Sequence, residues 1–233
     1  MYTANWLTFN SFTGGFVGLA FGSTAYTRIT GGVLDPFAST TYQQLHSQGS
    51  IFLTGSSGTG TLVRASAPRG ASVGTLSTLI CIYDRLGTSS TNNGEAGIVF
   101  LQTQLNAAST GTSCYGVVWQ AGANQLALRR YDAGFVQAGG TTLDSAGPDI
   151  FAIGTPLALG VSWAVSTGGL TVRATTAPVD SDGSATAATT LRLSYVTLSG
   201  FILPASGIAE GFGVATLQSC FVMAARTTMN AVV

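Results

Sequence analysis

The sequence predicts an all-β chain: an antiparallel sandwich of two packed sheets, formed as a single domain over residues 1–233. Three observations carry this. Many segments alternate large apolar residues with small or polar ones, the period of two that sends successive side chains to opposite faces of a strand. Stretches rich in Gly, Ser, Thr and Asn separate these segments, as turns between short strands require. No long window carries the 3.6-residue apolar period of an amphipathic helix. A chain of 233 residues can bury a sizeable core without disulfides or metals to staple it.

The elements follow in order. Residues 1–12 are a candidate N-terminal arm. "FASTTYQQLHSQG", residues 37–49, admits a short helix with Ser39 as cap and Gly49 as stop, or else a loop. Strands are expected at 60–65, 78–84 and 97–105, with "LGTSSTNNGEAG" (86–97) as a long connection. In "YGVVWQAGANQLALRRYDAG" (115–134), Tyr115, Val117 and Trp119 share one face and "AGAN" turns the chain. Leu126, Leu128 and Arg130 then alternate with Ala127, Arg129 and Tyr131. The firmest hairpin joins "LALGVSWAV" to "LTVRA" through "STGG". Leu157, Leu159, Val161, Trp163 and Val165 share one face of its first strand. A long loop is expected over 175–190, then strands at 190–198, 211–217 and 220–226, with residues 226–233 as a tail. Strong strands flank both long loops, so neither reads as a domain linker.

Charge is the unusual feature. Only 8% of residues are charged, against about 25% in an ordinary globular domain. There are nine arginines, no lysine, seven aspartates and two glutamates, for a net charge of zero. Isolated soluble proteins usually stay away from neutrality. This composition suits a subunit covered by neighbours, or a surface kept wet by Ser and Thr. It argues against a nucleic-acid partner, because no basic cluster exceeds the pair Arg129 and Arg130. Cys81, Cys114 and Cys220 are odd in number and widely spaced, each among apolar neighbours, so they suggest small buried hydrophobes rather than a disulfide framework. The N-terminus shows no signal-peptide pattern and no apolar run is long enough to span a bilayer. Synthesis in a cytoplasm and no membrane insertion are expected.

Catalytic patterns are weak. Glycoside hydrolysis needs two carboxylates facing one cleft. Glu95 and Glu210 are the only glutamates, and neither has a carboxylate two positions away. His46 is the only histidine and no nucleophile elbow accompanies it. "GSSGTG" (55–60) lacks the lysine of a phosphate loop, and "GFGVA" lacks the third glycine of a dinucleotide site. "DSDGS" (180–184) offers Asp180 and Asp182 as weak calcium candidates, but the twelfth position of a calcium loop would be Leu191. No catalytic residue, no resident metal and no cofactor are expected. Ligand or interface candidates are Trp119, Asn124, Arg129, Arg130, Tyr131 and Asp132. Trp6 and Trp163 are further aromatics, and core packing is the default for Trp119 and Trp163.

Taken together, "CYGVVWQAGANQLALRRYDAG", "LALGVSWAVSTGGLTVRA" and "GFGVATL" resemble the concanavalin A-like lectin/glucanase superfamily, in particular laminin-G-like jelly rolls of phage and bacterial surface proteins. "NWLTFNSFTGG" is similar to the opening strand of such domains. The resemblance implies a two-sheet jelly roll. It does not imply catalysis, because the Glu-x-Asp-x-Glu of the related glucanases is absent. With the lysine-free composition it leads to one expectation: a non-enzymatic, oligomeric structural protein of a phage-like particle, located in the virion as a capsid decoration, head fibre or tail component. Its partners would be its own copies, other particle proteins and host-surface polysaccharide. Buried Arg129, Arg130 and Asp132 would carry subunit contacts. The alternative is a free carbohydrate-binding lectin-like protein or a glycan-active hydrolase.

Overall fold

The alternating segments form strands, and every regular element among the described residues of the computed structural model is one. In chain order these are β1 (Tyr2–Thr3), β2 (Leu7–Thr8), β3 (Leu19–Phe21), β4 (Thr24–Arg28), β5 (Val33–Asp35) and β6 (Ile51–Thr54). Then come β7 (Thr61–Ala65), β8 (Thr75–Leu86), β9 (Glu95–Gln102), β10 (Cys114–Gln120), β11 (Gln125–Tyr131) and β12 (Gly140–Ala146). The last are β13 (Leu157–Ser166), β14 (Gly169–Pro178), β15 (Thr190–Thr197), β16 (Ala209–Ala215) and β17 (Ser219–Ala231). The structure describes these strands, and it describes side chains within 95–101, 114–120, 123–132, 140–147, 157–178 and 186–201.

The strands form two antiparallel sheets. One has nine strands, ordered β15-β14-β13-β8-β17-β6-β5, with β1 and β2 also paired to β17. The other has eight, ordered β12-β11-β10-β9-β16-β7-β4-β3. The all-β sandwich expected from the sequence is present.

The β13–β14 hairpin shows why the alternation was readable. Leu157, Leu159, Val161, Trp163 and Val165 are all buried, and across the ladder Trp163 faces Val172 while Val161 faces Ala174. Ser166 pairs with Gly169, so the turn is Thr167–Gly168, and Gly168 takes φ +72°. That left-handed conformation is the reason a glycine stands there. From the facing sheet, β9 and β10 supply Ile98, Phe100, Val117 and Trp119, and β11 supplies Leu126 and Leu128, all buried. Phe100 bridges the layers: its ring stacks on Trp163 with centroids 4.8 Å apart and planes at 23°. This is the centre of the described core.

Several boundaries differ from expectation. The connection read over 86–97 yields Glu95–Gly97 to β9, and the loop read from 175 starts only after Pro178. β12 was not anticipated, because "GTTLDSA" has no apolar alternation; it is an edge strand none of whose residues is buried. Residues 226–231 belong to β17, with Arg226 opposite Ile80, while β1 and β2, within the expected N-terminal arm, pair with the same strand. The segment 37–49, His46, Asp180 and Asp182 lie outside the described residues.

Candidate functional site

The stretch 115–132 divides into two environments according to face. On the outward-turned side of β9, β10 and β11, direct register partners are Glu95, Gln120 and Gln125 at one end and Cys114 and Tyr131 at the other. A sheet face opposite the sandwich core would ordinarily be wet. Here Glu95, Val99, Val118, Ala127 and Tyr131 are buried, and Arg129 keeps only 7% exposure. That is why β11 shows no alternation in burial although its sequence alternates.

The polar side chains on this face meet one another. Glu95 accepts hydrogen bonds from Gln120 Nε2 at 2.8 Å and from Tyr131 Oη at 2.7 Å, and it forms an ion pair with Arg129. Gln125 Nε2 donates to Gln120 Oε1 at 2.7 Å. Arg129 also donates to the Gly140 carbonyl, and its guanidinium lies 5.6 Å from the Tyr131 ring centroid. Gly140 leaves the room this requires. A Cβ there would sit 2.7 Å from Nε and Nη2 of Arg129 and from the Tyr131 ring. The register holds Glu95 and Tyr131 at opposite ends of the strand trio, which in a flat sheet would separate them by roughly 20 Å. Their hydrogen bond therefore requires this face to curve inward.

This network is suited to holding the sheet in shape, not to chemistry. Both oxygens of Glu95 are engaged and the residue has no exposure, so the carboxylate cannot reach a substrate. Trp119 is likewise interior, 3% exposed, and its indole N–H donates to Asn124 Oδ1 at 3.0 Å. Asn124 adopts φ 44° in the β10–β11 turn, a conformation Asn tolerates better than most residues. Trp119, Asn124, Arg129 and Tyr131 are thus structural pairs, and the decisive partner, Glu95, was weighed in the sequence only as an acid catalyst.

Burial sets the titration of two groups here. It pushes the Tyr131 phenol well above its usual range, against the opposing pull of Arg129, and it raises the Cys114 thiol strongly, with Asp132 adding to the effect. The unfolded chain releases these protons from about pH 8.5 for the thiol and about pH 10 for the phenol, while the fold retains them. The unfolded state then binds fewer protons, so stability falls as pH rises, by about 1.4 kcal/mol per pH unit for each group. Urea melts between pH 8 and 11 should show this decline. Cys114→Ala should remove its earlier onset, and a flat profile would mean that these groups are hydrated.

The second environment is open. Arg130 and Asp132 are not buried within the chain. Their side chains keep 48% and 55% exposure and form an ion pair at 3.0 Å. The reason is position: Arg130 ends the inward row Phe100–Tyr115–Arg130, beyond the packed core. Tyr115 is half-buried, with Phe201 at 6.0 Å between centroids. β15 lies against β11 and β12 at this edge and brings Tyr195, partly exposed, into the electrostatic range of Arg130. Burial first, then Tyr195 and Asp132, raise the Tyr115 phenol, while Arg130 opposes them. Tyr115 and Tyr195 were not singled out in the sequence, because only the packing of the two sheets brings them together. Among the described residues no cluster of His, Cys, Asp and Glu could hold a metal ion, and no helix is long and apolar enough to cross a membrane.

No protein-family model matches this chain, and no curated protein matches it by sequence. Solved structures do match by fold. Basic winged bean lectin, in a structure with Tn-antigen, aligns with a TM-score of 0.60 at 9% identity, covering 97% of this chain and 98% of that one. Peanut lectin, with a nine-residue peptide, aligns at 0.56 and 13% identity over 99% and 98%. A Bauhinia forficata lectin in complex with GalNAc aligns at 0.54 and 11% identity over 99% and 100%. The chain therefore shares the two-sheet sandwich fold of these lectins over nearly its whole length.

Proposed function

We propose that this chain is a non-catalytic carbohydrate-binding protein. The observation that carries the reading is the near full-length correspondence with lectin sandwiches, two of them described with a sugar or glycan antigen. The fate of Glu95 supports it, since a carboxylate sealed by Arg129, Tyr131 and Gln120 is removed from acid–base work. The test is a glycan-array screen of the purified protein, followed by product analysis of any glycan it retains. Retention of an unaltered glycan is expected. Cleavage, or no retention of any glycan, overturns the reading.

A second reading, a self-associating particle subunit, is favoured by one observation. Leu191 and Val196 of the edge strand β15 and Leu198 just beyond it are 55%, 54% and 84% exposed. With a net charge of zero, such an uncovered edge suits contact with a second copy. Light scattering across a tenfold dilution decides it: an assembly that persists supports this reading, and a 23.7 kDa monomer removes it.

A further inference from the structure

The geometry points to a specific place and class for the ligand: we infer that Tyr115, Arg130, Asp132 and Tyr195, at the open rim between the sheets, bind a neutral saccharide. The inference rests on the carbohydrate reading above and adds to it the site and the sugar chemistry.

The argument starts from a gradient across the sandwich. On one sheet, register partners run Phe100, Tyr115, Arg130; on the other they run Trp163, Val172, Tyr195. Phe100 and Trp163 stack and fill the interior end. At the outer end β15 lies against β11 and β12, and the layers carry Arg130 and Tyr195 instead of apolar side chains. This end of the sandwich therefore carries aromatic and polar side chains, with Phe201 packed beside Tyr115 and with Arg130 and Asp132 open to solvent. Asp132, two residues on, holds Arg130 from the side.

These groups do little for the fold. An ion pair this exposed contributes little to stability, because water screens it and two side chains must be ordered to form it. They are, however, suited to a sugar. The Asp132 carboxylate accepts hydrogen bonds from adjacent hydroxyls, and the Arg130 guanidinium donates in a planar fork to ring or hydroxyl oxygens. The two tyrosines offer apolar ring faces to sugar C–H groups and hydroxyls that donate or accept. The charges of Arg130 and Asp132 cancel, which favours a neutral ligand over an anionic one.

The probes are galactose, N-acetylgalactosamine, glucose, mannose and N-acetylneuraminic acid, titrated by ligand-observed NMR against the full chain, with and without EDTA. At least one neutral sugar should bind, EDTA should change nothing, and Arg130→Ala, Asp132→Asn and Tyr195→Ala should each weaken it tenfold or more. Thermal melting of the first two variants should match the parent, which separates loss of the site from loss of the fold. Sugar binding that survives all three substitutions, or that EDTA abolishes, overturns the rim as the site while leaving the carbohydrate reading intact. Preference for N-acetylneuraminic acid overturns the neutral class. No binding to any probe or array glycan ends both.

Discussion

Glu95→Gln is expected to cost about 3–5 kcal/mol of stability, because it strands a buried guanidinium. Arg129 keeps 9% side-chain exposure and has its carboxylate partner in Glu95, which is wholly buried. The amide that replaces the carboxylate can still accept from Tyr131, so shape is preserved and charge alone is lost. For a chain of this size the loss corresponds to a melting temperature lower by about 6–20 °C. Glu95→Leu combined with Arg129→Met removes both charges at similar volume. Tyr131 and Gln120 then lack their acceptor, which costs about 1–3 kcal/mol each, so this double variant should lose stability of the same order as Glu95→Gln although no charge is stranded. The measurement is a denaturant melt of each variant. A loss under about 1 kcal/mol for Glu95→Gln would show that water reaches this face and that the pair is not sealed.

Phe100→Ala is expected to be comparably severe, at about 3–5 kcal/mol. Its ring is fully buried, stacks on Trp163 across the sandwich and lies 6.0 Å from Tyr115 on its own sheet. Removing it opens a void where the two layers touch, and neither sheet can close the gap without shearing its ladder. Trp163 is also 3% exposed, and its buried indole N–H has no hydrogen-bond partner among the described residues. Fluorescence of this tryptophan should therefore shift to longer wavelength in the variant as water enters. Phe100→Leu, which refills most of the volume, should recover the larger part of the loss. Equal damage from Leu and Ala would mean that the stacking itself, rather than filled space, holds the layers together.

The fold was legible wherever one face of a strand is apolar and the other is not. "LALGVSWAVSTGGLTVRA" shows this most directly: its alternation, its two-residue turn and its buried face were all readable. Legibility failed at β12, whose "GTTLDSA" joins the sheet through its backbone at an exposed edge and needs no apolar face. It also failed at "EAG", where glycine and glutamate suggest a turn but begin the buried strand β9. Glu95 can be buried at the start of β9 only because Arg129, 34 residues later, neutralises it. No local pattern announces a partner at that distance. The same holds for the rim: Arg130 and Asp132 stand out in the sequence, but Tyr115 and Tyr195 join them only after two sheets have packed.

The order of strands carries a consequence for how the protein is made. β17 lies in the interior of the nine-stranded sheet, between β8 and β6, and it also pairs with β1 and β2. β16 likewise separates β9 from β7 in the other sheet. The eight-stranded sheet therefore cannot be completed on the ribosome until the sequence up to Ala215 has emerged, nor the nine-stranded sheet until Ala231 has, so strands such as β9 and β8 wait, unpaired on one side, for much of translation. Folding governed by such distant pairings is slow, and the nascent chain exposes sticky edges meanwhile. Ribosome-bound intermediates truncated before β16 should be protease-sensitive throughout and bound by chaperones, with resistance appearing in one step once β17 is released.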